Sequence, residues 1–167
     1  ALAHAGVAAG DVDLLIVATS TPDQLMPSAG CMIQTQIGAV RAGPLDVNAA
    51  CSGFVYGLAV AAQFVRAGAS QTALVVGADT LTRFLNYQDR NTCILFGDGA
   101  GAVVVQATEE RTGVLSIDLG AMPGTGELLE IPGGGAAHTA THETVEQGLH
   151  FMTMQGRDVF KHAVRAM

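Results

Sequence analysis

Short apolar runs and longer segments with helical spacing alternate along the chain. Residues 13–19 and 72–78 are almost wholly apolar, which is typical of strands covered on both faces. Helical spacing predicts one helix over residues 27–38, with a proline in its first turn, and another over residues 52–68. With a short apolar run at residues 45–47, this order predicts an α/β fold with mainly parallel strands.

The rest of the chain has weaker patterns. The remaining predicted elements are a helix over residues 2–7, a loop with a helical turn over 81–90, strands over 93–96, 102–107 and 114–119, a surface excursion over 122–148 and a helix over 155–167.

Cys51 lies where the second predicted strand ends and the second helix begins. The first amides of a helix have no partner within the helix, and their dipoles favour negative charge. A cysteine at that place ionises more easily, and its thiolate is a nucleophile. The small neighbours Ala50, Ser52 and Gly53 allow a sharp turn, as in the nucleophile elbow of serine hydrolases. From the residues alone, Cys51 is either this nucleophile or a small buried hydrophobic residue.

Three segments favour the nucleophile because they occur in a characteristic order. They are DVNAACSGF at residues 46–54, ALVVGAD at 73–79 and FGDGAGA at 96–102. Together they resemble the β-ketoacyl-acyl-carrier-protein synthase III family of the thiolase superfamily, along essentially the whole chain. The resemblance implies an α/β, thiolase-like fold in which this chain is one half of a five-layer αβαβα architecture. It also implies that Cys51 carries the acyl group during catalysis.

The resemblance also implies how the chain divides. Residues 1–121 correspond to the N-terminal half without its first strand, residues 122–150 to a loop excursion, and residues 151–167 to the start of a helix leading to the second half. In the family that second half supplies a histidine and an asparagine, which stabilise the enolate formed by decarboxylation of the malonyl thioester. No histidine here lies in the family's motif, so this chain is expected to lack both groups.

Further site residues are implied by the same resemblance. Arg90 corresponds to the arginine against the adenine of coenzyme A, where a planar guanidinium suits stacking and phosphate contact. Met26 is expected to reach across a homodimer interface into the partner's acyl pocket, where a flexible methionine leaves space for a longer chain. From the residues alone, these two are an exposed loop arginine and an ordinary apolar contact. The other implied residues are Leu81 and Phe96 in the acyl pocket and Met154, Gly156 and Phe160 at the pantetheine channel.

Two other motifs are interpreted as structural. His138 and His142 have a spacing found in metal sites, but they lie in a Gly/Thr-rich loop with no third ligand, so a solvated loop is predicted. The GDGAG segment at residues 97–101 matches neither common nucleotide-binding motif. Its glycines are predicted to allow close packing at a strand turn. Asp98 is expected to be either a structural hydrogen-bond acceptor or a catalytic group.

Composition and charge limit the classes of binding partner and the cellular compartment that we expect. The net charge of −7, with only eight lysines and arginines, argues against nucleic acid. An acyl carrier protein is acidic, so docking would need a local basic patch. No apolar run approaches about 18 residues, so no membrane span is expected. Three widely spaced cysteines without a C-x-x-C pair favour reduced thiols in the cytoplasm and argue against structural zinc.

These observations predict an acyltransferase. It would move an acyl group from acyl-CoA to Cys51 and condense it with malonyl-acyl-carrier protein, starting fatty acid or polyketide-like synthesis. No cofactor beyond the coenzyme A thioester substrate is expected. Two alternatives stay open: a specialised relative in the superfamily with another acceptor, and a non-catalytic fragment or a subunit that needs a second chain.

The first prediction concerns thiol reactivity. Because Cys51 alone is predicted at a helix start among small residues, limiting iodoacetamide near neutral pH should label it before the other cysteines. Peptide mass spectrometry measures the three labelling rates. Equal labelling of Cys31 or Cys93 would contradict the prediction.

Overall fold

The computed structural model describes residues 1–166. In chain order its helices are α1 (Leu2–Ala5), α2 (Ala29–Ile37), α3 (Gly53–Arg66), α4 (His142–Glu146) and α5 (Gly156–Ala166). Its strands are β1 (Leu14–Ala18), β2 (Gly43–Val47), β3 (Thr72–Thr80), β4 (Asp98–Gln106), β5 (Leu129–Glu130) and β6 (Thr153–Met154). The chain divides into two compact units: the first comprises Ala1–Asp79 and Gly99–Leu119, and the second comprises Thr80–Asp98 and the residues from Gly120 on.

A four-stranded sheet in the order β2-β1-β3-β4 organises the first unit. Strand β1 pairs in parallel with both β2 and β3, so that Leu14 lies opposite Gly43 on one side and Ala73 on the other. All five residues of β1 are buried. The continuous apolar runs therefore predict the strands correctly, and the α/β class with parallel pairing is confirmed.

The two faces of this sheet are covered by different helices. Alternate residues of a strand point to opposite faces. On β1, Leu15 and Val17 belong to a cluster that includes Ala29 of α2. Leu14 and Ile16 belong to a second cluster, which includes Ala61 and Val65 of α3.

The start of α2 is held by a carboxylate from the neighbouring strand. Asp46 of β2 accepts hydrogen bonds from the amides of Ala29 (2.7 Å) and Gly30 (2.8 Å), and Ser28 accepts one from the amide of Cys31. These acceptors satisfy amides that a helix start leaves without partners. A Cβ on Gly30 would lie 3.1 Å from the Asp46 carboxylate, so a side chain at this position would require that carboxylate to shift.

Small residues bring α3 close to the sheet. A Cβ added to Gly57 would lie 3.2 Å from Ile16 and 3.3 Å from Val75, and one added to Gly53 would lie 3.3 Å from Ala18. These distances are shorter than ordinary van der Waals contacts between carbon atoms. The absence of side chains at these positions therefore sets how close the helix lies, and with it the position of the turn before α3.

The second unit contains a short antiparallel pair and two helices. Strand β5 pairs with β6, and the amide of Met152 donates to the carbonyl of Phe84 at 2.7 Å. The carbonyl of Leu149 accepts from the amide of Gly133 at 2.7 Å. The predicted surface excursion is thus more ordered than expected, since it contains β5 and α4. The domain boundaries at residues 121 and 150 stay predictions.

Two predicted strands are wrong. Residues 93–96 form turns because Asp89 and Thr92 take up their backbone donors: Cys93 donates to Asp89 at 3.1 Å and Leu95 to Thr92 at 3.0 Å. Residues 114–119 are mainly apolar, but Leu115, Ile117 and Leu119 are exposed and the segment pairs with no strand in residues 1–166. In both cases an apolar run was not enough, because a strand also needs a partner for its backbone.

The expectation for the GDGAG segment is also wrong. Four of its five residues, 98–101, lie inside β4 and do not form a turn between two strands. A Cβ added at Gly97, Gly99 or Gly101 would meet no atom within 4 Å in the described part of the chain. Close packing in this chain therefore does not explain these glycines.

The close approach of α3 yields a prediction. Gly57→Val should lower the free energy of unfolding by about 1–3 kcal/mol, because the branched side chain has no space against Ile16 and Val75. Gln63→Val is the matched control, since it introduces the same residue at an exposed position of α3 and should cost less than about 1 kcal/mol. Denaturant unfolding measures both. Equal effects would show that α3 does not depend on this contact.

Candidate active site

The carboxyl ends of β1, β2 and β3 lie at one edge of the sheet, because all three strands are parallel. Thr19 and Ser20 follow β1, the segment from Asn48 to Cys51 follows β2, and Asp79 is the penultimate residue of β3. Ligands of α/β sheets commonly bind at this edge. The candidate site is built here.

Cys51 lies in a short 3-10 turn, Ala50–Ser52, immediately before α3. Ala50 has φ +46°, and it is the one residue other than glycine with positive φ in the described chain. This left-handed conformation is unfavourable for an alanine and produces a sharp turn. The side chain of Cys51 is exposed and forms no disulfide. The strand-to-helix junction predicted from the sequence is therefore confirmed. Cys51 is exposed in this chain, and its role as the nucleophile stays a prediction.

Polar side chains connect the three strand ends. Asn48 accepts hydrogen bonds from the hydroxyl of Ser20 (3.1 Å) and from the amide of Ala50 (3.4 Å). Asp79 accepts from the amide of Ser20 (2.8 Å) and from the hydroxyl of Thr21 (3.1 Å). Sequence reasoning missed these residues. The rule that carboxyl ends of parallel strands meet would have found them, since each directly follows or ends a predicted strand.

The other two cysteines differ from Cys51, and one corrects an expectation. Cys31 is the third residue of α2, so Cys51 is not the only cysteine at a helix start. Cys31 is half-buried, and its sulfur accepts a hydrogen bond from Ser28 at 3.3 Å. Cys93 is also half-buried, with its sulfur 3.9 Å from the carbonyl oxygen of Tyr87. Exposure and the left-handed turn distinguish Cys51, rather than proximity to a helix start.

Asp98 acts as a structural acceptor in the second unit. It accepts hydrogen bonds from the amide (2.9 Å) and the hydroxyl (2.8 Å) of Thr82. The Thr82 amide, then its hydroxyl, and the nearby charge of Arg83 hold the pKa of Asp98 below its ordinary value. Of the two roles expected for Asp98, this geometry favours the structural one. Its effect is to hold the 3-10 turn Leu81–Phe84.

The predicted coenzyme A residue Arg90 lies on an exposed turn. Asp89 accepts hydrogen bonds from the amide (3.0 Å) and side chain (2.9 Å) of Asn91 and from the hydroxyl of Thr92 (3.2 Å). The Asn91 amide is the main cause that lowers the pKa of Asp89. Thr92 is fully buried. The turn is thus ordered around Asp89, while Arg90 itself is exposed.

The predicted site residues fall in both units. Cys51 and Met26 belong to the first unit; Leu81, Arg90, Phe96, Met154, Gly156 and Phe160 belong to the second. Met26 and Phe160 are 82% and 69% exposed. Leu81, Phe96 and Met154 are half-buried, and Gly156 is the first residue of α5. The roles implied for all of these residues stay predictions.

No group of three His, Cys, Asp or Glu side chains in residues 1–166 is placed to hold a metal ion. His142, expected in a loop, is in fact the first residue of α4. The carbonyl of His138 accepts a hydrogen bond from the amide of Gly134 at 2.8 Å. Across the same residues, every helix is too short or too polar to cross a membrane.

Comparison with solved structures defines the class. The chain superimposes with a TM-score of 0.85 and 39% identity on the crystal structure of 3-oxoacyl-[acyl-carrier-protein] synthase III from Aquifex aeolicus VF5, covering 100% of this chain and 49% of that one. Superposition on a priming β-ketosynthase from the R1128 polyketide biosynthetic pathway gives a TM-score of 0.81 at 34% sequence identity. It covers 99% of this chain and 48% of that one. The chain is therefore one half of a thiolase-like fold with an exposed cysteine at the carboxyl edge of its sheet.

Sequence comparison gives a similar result. Residues 45–123 match the family described as 3-Oxoacyl-[acyl-carrier-protein (ACP)] synthase III. The chain is 49% identical over 167 residues to the Beta-ketoacyl-[acyl-carrier-protein] synthase III of Caldanaerobacter subterraneus subsp. tengcongensis, covering 100% of this chain and 50% of that relative. By both comparisons the chain is similar to the N-terminal half of β-ketoacyl-[acyl-carrier-protein] synthase III proteins. It spans about half the length of the curated relatives it matches.

The left-handed residue before Cys51 can be tested by stability. Ala50→Gly removes the steric cost of φ +46°, whereas Ala49→Gly, at φ −136°, removes none. The free energy of unfolding should therefore be about 1–2 kcal/mol higher for Ala50→Gly than for Ala49→Gly. Denaturant unfolding of both variants measures the difference. Identical values would mean that Ala50 does not adopt the left-handed conformation.

Proposed function

We propose that the protein containing this chain transfers an acyl group from acyl-CoA to Cys51 and then condenses it with malonyl-acyl-carrier protein. The single observation that carries this proposal is the exposed Cys51 in a left-handed turn at the carboxyl edge of the sheet. Similarity to synthase III proteins along the whole chain supports the same reaction. The alternative of a non-catalytic module gains no support from such a turn, since a strained residue is costly unless it has a use.

The first step is a thioester exchange. The Cys51 thiolate attacks the carbonyl carbon of acyl-CoA, a tetrahedral oxyanion forms, and the bond to the coenzyme A sulfur breaks. The acyl group stays on Cys51, and coenzyme A leaves as a thiolate that takes a proton from water. Backbone amides at the start of α3 face no partner within the helix, so they are candidates to stabilise the negative charge.

The second step needs groups that the family carries in its other half. Loss of carbon dioxide from the malonyl thioester leaves an enolate, whose carbon attacks the acyl carbonyl on Cys51. The carbon–sulfur bond to Cys51 breaks, the β-ketoacyl thioester forms on the carrier protein, and the released Cys51 thiolate can take a proton from water. Stabilising the enolate is assigned to the histidine and asparagine of that half. The charge on the enolate oxygen is what those groups would bind.

The acylation step can be tested directly. The protein at its natural length is incubated with acetyl-CoA, and intact and peptide mass spectrometry locate the adduct. We expect one acetyl group, on Cys51. Cys51→Ala should abolish the adduct. Cys31→Ala is the matched control and should retain the adduct, because Cys31 is half-buried and its sulfur accepts a hydrogen bond from Ser28. An adduct on another residue, or none, would contradict the proposed function.

Helix α5 supplies a basic surface for the acidic carrier protein. Arg157, Lys161 and Arg165 recur every four residues, so they lie along one side of the helix, and all three are exposed. They are three of only eight basic residues in a chain of charge −7. Lys161 is paired with Asp158 at 2.9 Å, so the two arginines are the stronger candidates for docking. This stripe is our candidate for the local basic patch that docking would need.

The carrier-protein surface predicts a charge-reversal effect. Arg157→Glu combined with Arg165→Glu should raise the Kd for an acyl carrier protein about tenfold at low salt, since each exposed charge pair contributes up to about 1 kcal/mol. The difference should shrink at high salt because mobile ions screen exposed charges. Arg111→Glu, at an exposed position in the other unit, is the control. Equal Kd values for all three proteins would exclude this docking surface.

A homodimer and a cytoplasmic location complete the proposal. Leu25 and Met26 are adjacent and 84% and 82% exposed, which supports cover by a second copy, as the family resemblance implies. Reduced cysteines support the cytoplasm. Similarity to a priming β-ketosynthase means that the same reaction could serve either of two biosynthetic pathways. It could start fatty acid synthesis or start a polyketide-like chain.

A further inference from the structure

The left-handed Ala50 needs support from its surroundings. A residue other than glycine at φ +46° is less stable than the same residue in an extended or helical conformation, and it persists only where other contacts compensate. Ala50 is exposed, so packing against its side chain supplies little of this support. The contacts of its backbone therefore have to supply it.

Asn48 supplies such a contact. Its side-chain oxygen accepts the amide of Ala50 at 3.4 Å and the hydroxyl of Ser20 at 3.1 Å. The two donors come from the segments after β2 and after β1. One amide oxygen thus ties the Cys51 turn to the neighbouring strand end.

Ser20 is itself held in place. Its amide donates to Asp79 at 2.8 Å, and Asp79 also accepts the hydroxyls of Thr21 (3.1 Å) and Thr19 (3.4 Å). Thr19 is buried, whereas Asp79 is half-buried. A chain of hydrogen bonds therefore runs from the end of β3 through Ser20 and Asn48 to the residue before Cys51.

We propose that Asn48, supported by Ser20 and Asp79, positions the Cys51 turn for acyl transfer. Asn48 acts through its hydrogen bonds to Ala50 and Ser20, so it is assigned as a positioning residue. Without it, Ala50 can leave the left-handed region, and the sulfur then moves relative to the amides at the start of α3. This inference rests on the proposed function, because it assigns Asn48 a part in the acylation of Cys51.

The test measures acylation of the full-length protein by acetyl-CoA under single-turnover conditions. Asn48→Ala should lower the maximal acylation rate by between about tenfold and a hundredfold, because small displacements of a reacting atom have effects of this size. The acetyl-CoA concentration at half-maximal rate should change less than about twofold, and so should binding of coenzyme A. Thermal unfolding should change little, since Asn48 is exposed.

A double-mutant cycle provides the specific readout. Ser20→Ala removes one donor to Asn48 and should lower the rate less than Asn48→Ala does. In the Asn48→Ala background, Ser20→Ala should have no further effect, because the two residues act as one unit. Thr108→Ala is the control: it removes a hydroxyl that accepts the amide of Glu110 at 3.1 Å elsewhere in the same unit, and it should leave the rate unchanged.

The outcomes separate this inference from the function on which it rests. If the unmodified protein is not acylated on Cys51, the proposed function itself fails. If it is acylated and Asn48→Ala reacts at the same maximal rate, Asn48 does not position the turn. Additive losses in the cycle would also overturn the inference. If Asn48→Ala fails to fold, the acylation rate of Ser20→Ala alone tests the inference. An unchanged rate in Ser20→Ala would then contradict it.

Discussion

The close approach of α3 to the sheet is the constraint on which the candidate site depends. Gly53 and Gly57 leave no side chain between this helix and strands β1 and β3, so the helix start lies directly at the carboxyl edge of the sheet. The chain must then turn from β2 into α3 within a few residues. This turn contains the left-handed Ala50 and presents the exposed Cys51. Helix packing, backbone conformation and the candidate nucleophile therefore meet at one junction.

The first unit could be predicted well because its signals are local and strong. Continuous apolar runs gave β1 and β3, and Gly38 and Gly68, both in left-handed conformation, mark where the helices end. The strand-to-helix junction at Cys51 was visible as a change of period. What the sequence could not supply was the conformation of Ala50, since alanine is not a residue expected at positive φ. The rule for strand ends would have selected Asn48 and Asp79 as candidates, but which residues they contact depends on the strand order, which only the structure shows.

The second unit was harder to predict, for physical reasons that particular residues illustrate. The apolar run that begins at Cys93 does not form a strand, because Asp89 orders a turn there. Its carbonyl accepts the amide of Cys93, and its carboxylate accepts the amide of Asn91. The order of this unit comes from specific turn contacts, such as those of Asp98 with Thr82, which leave little periodic pattern. Family resemblance named Leu81 and Met154 as site residues, but no hydrophobic pattern identifies them.

A crystal structure of the full-length protein after reaction with acyl-CoA tests the central claim most directly. That claim is that a short, left-handed turn before α3 presents Cys51 as the acyl carrier. We expect density for a thioester on the Cys51 sulfur, Ala50 at a φ near +46° and the Asn48 side chain within hydrogen-bond distance of the Ala50 amide. Negative φ at Ala50, or an acyl group on Cys31 or Cys93, would contradict it.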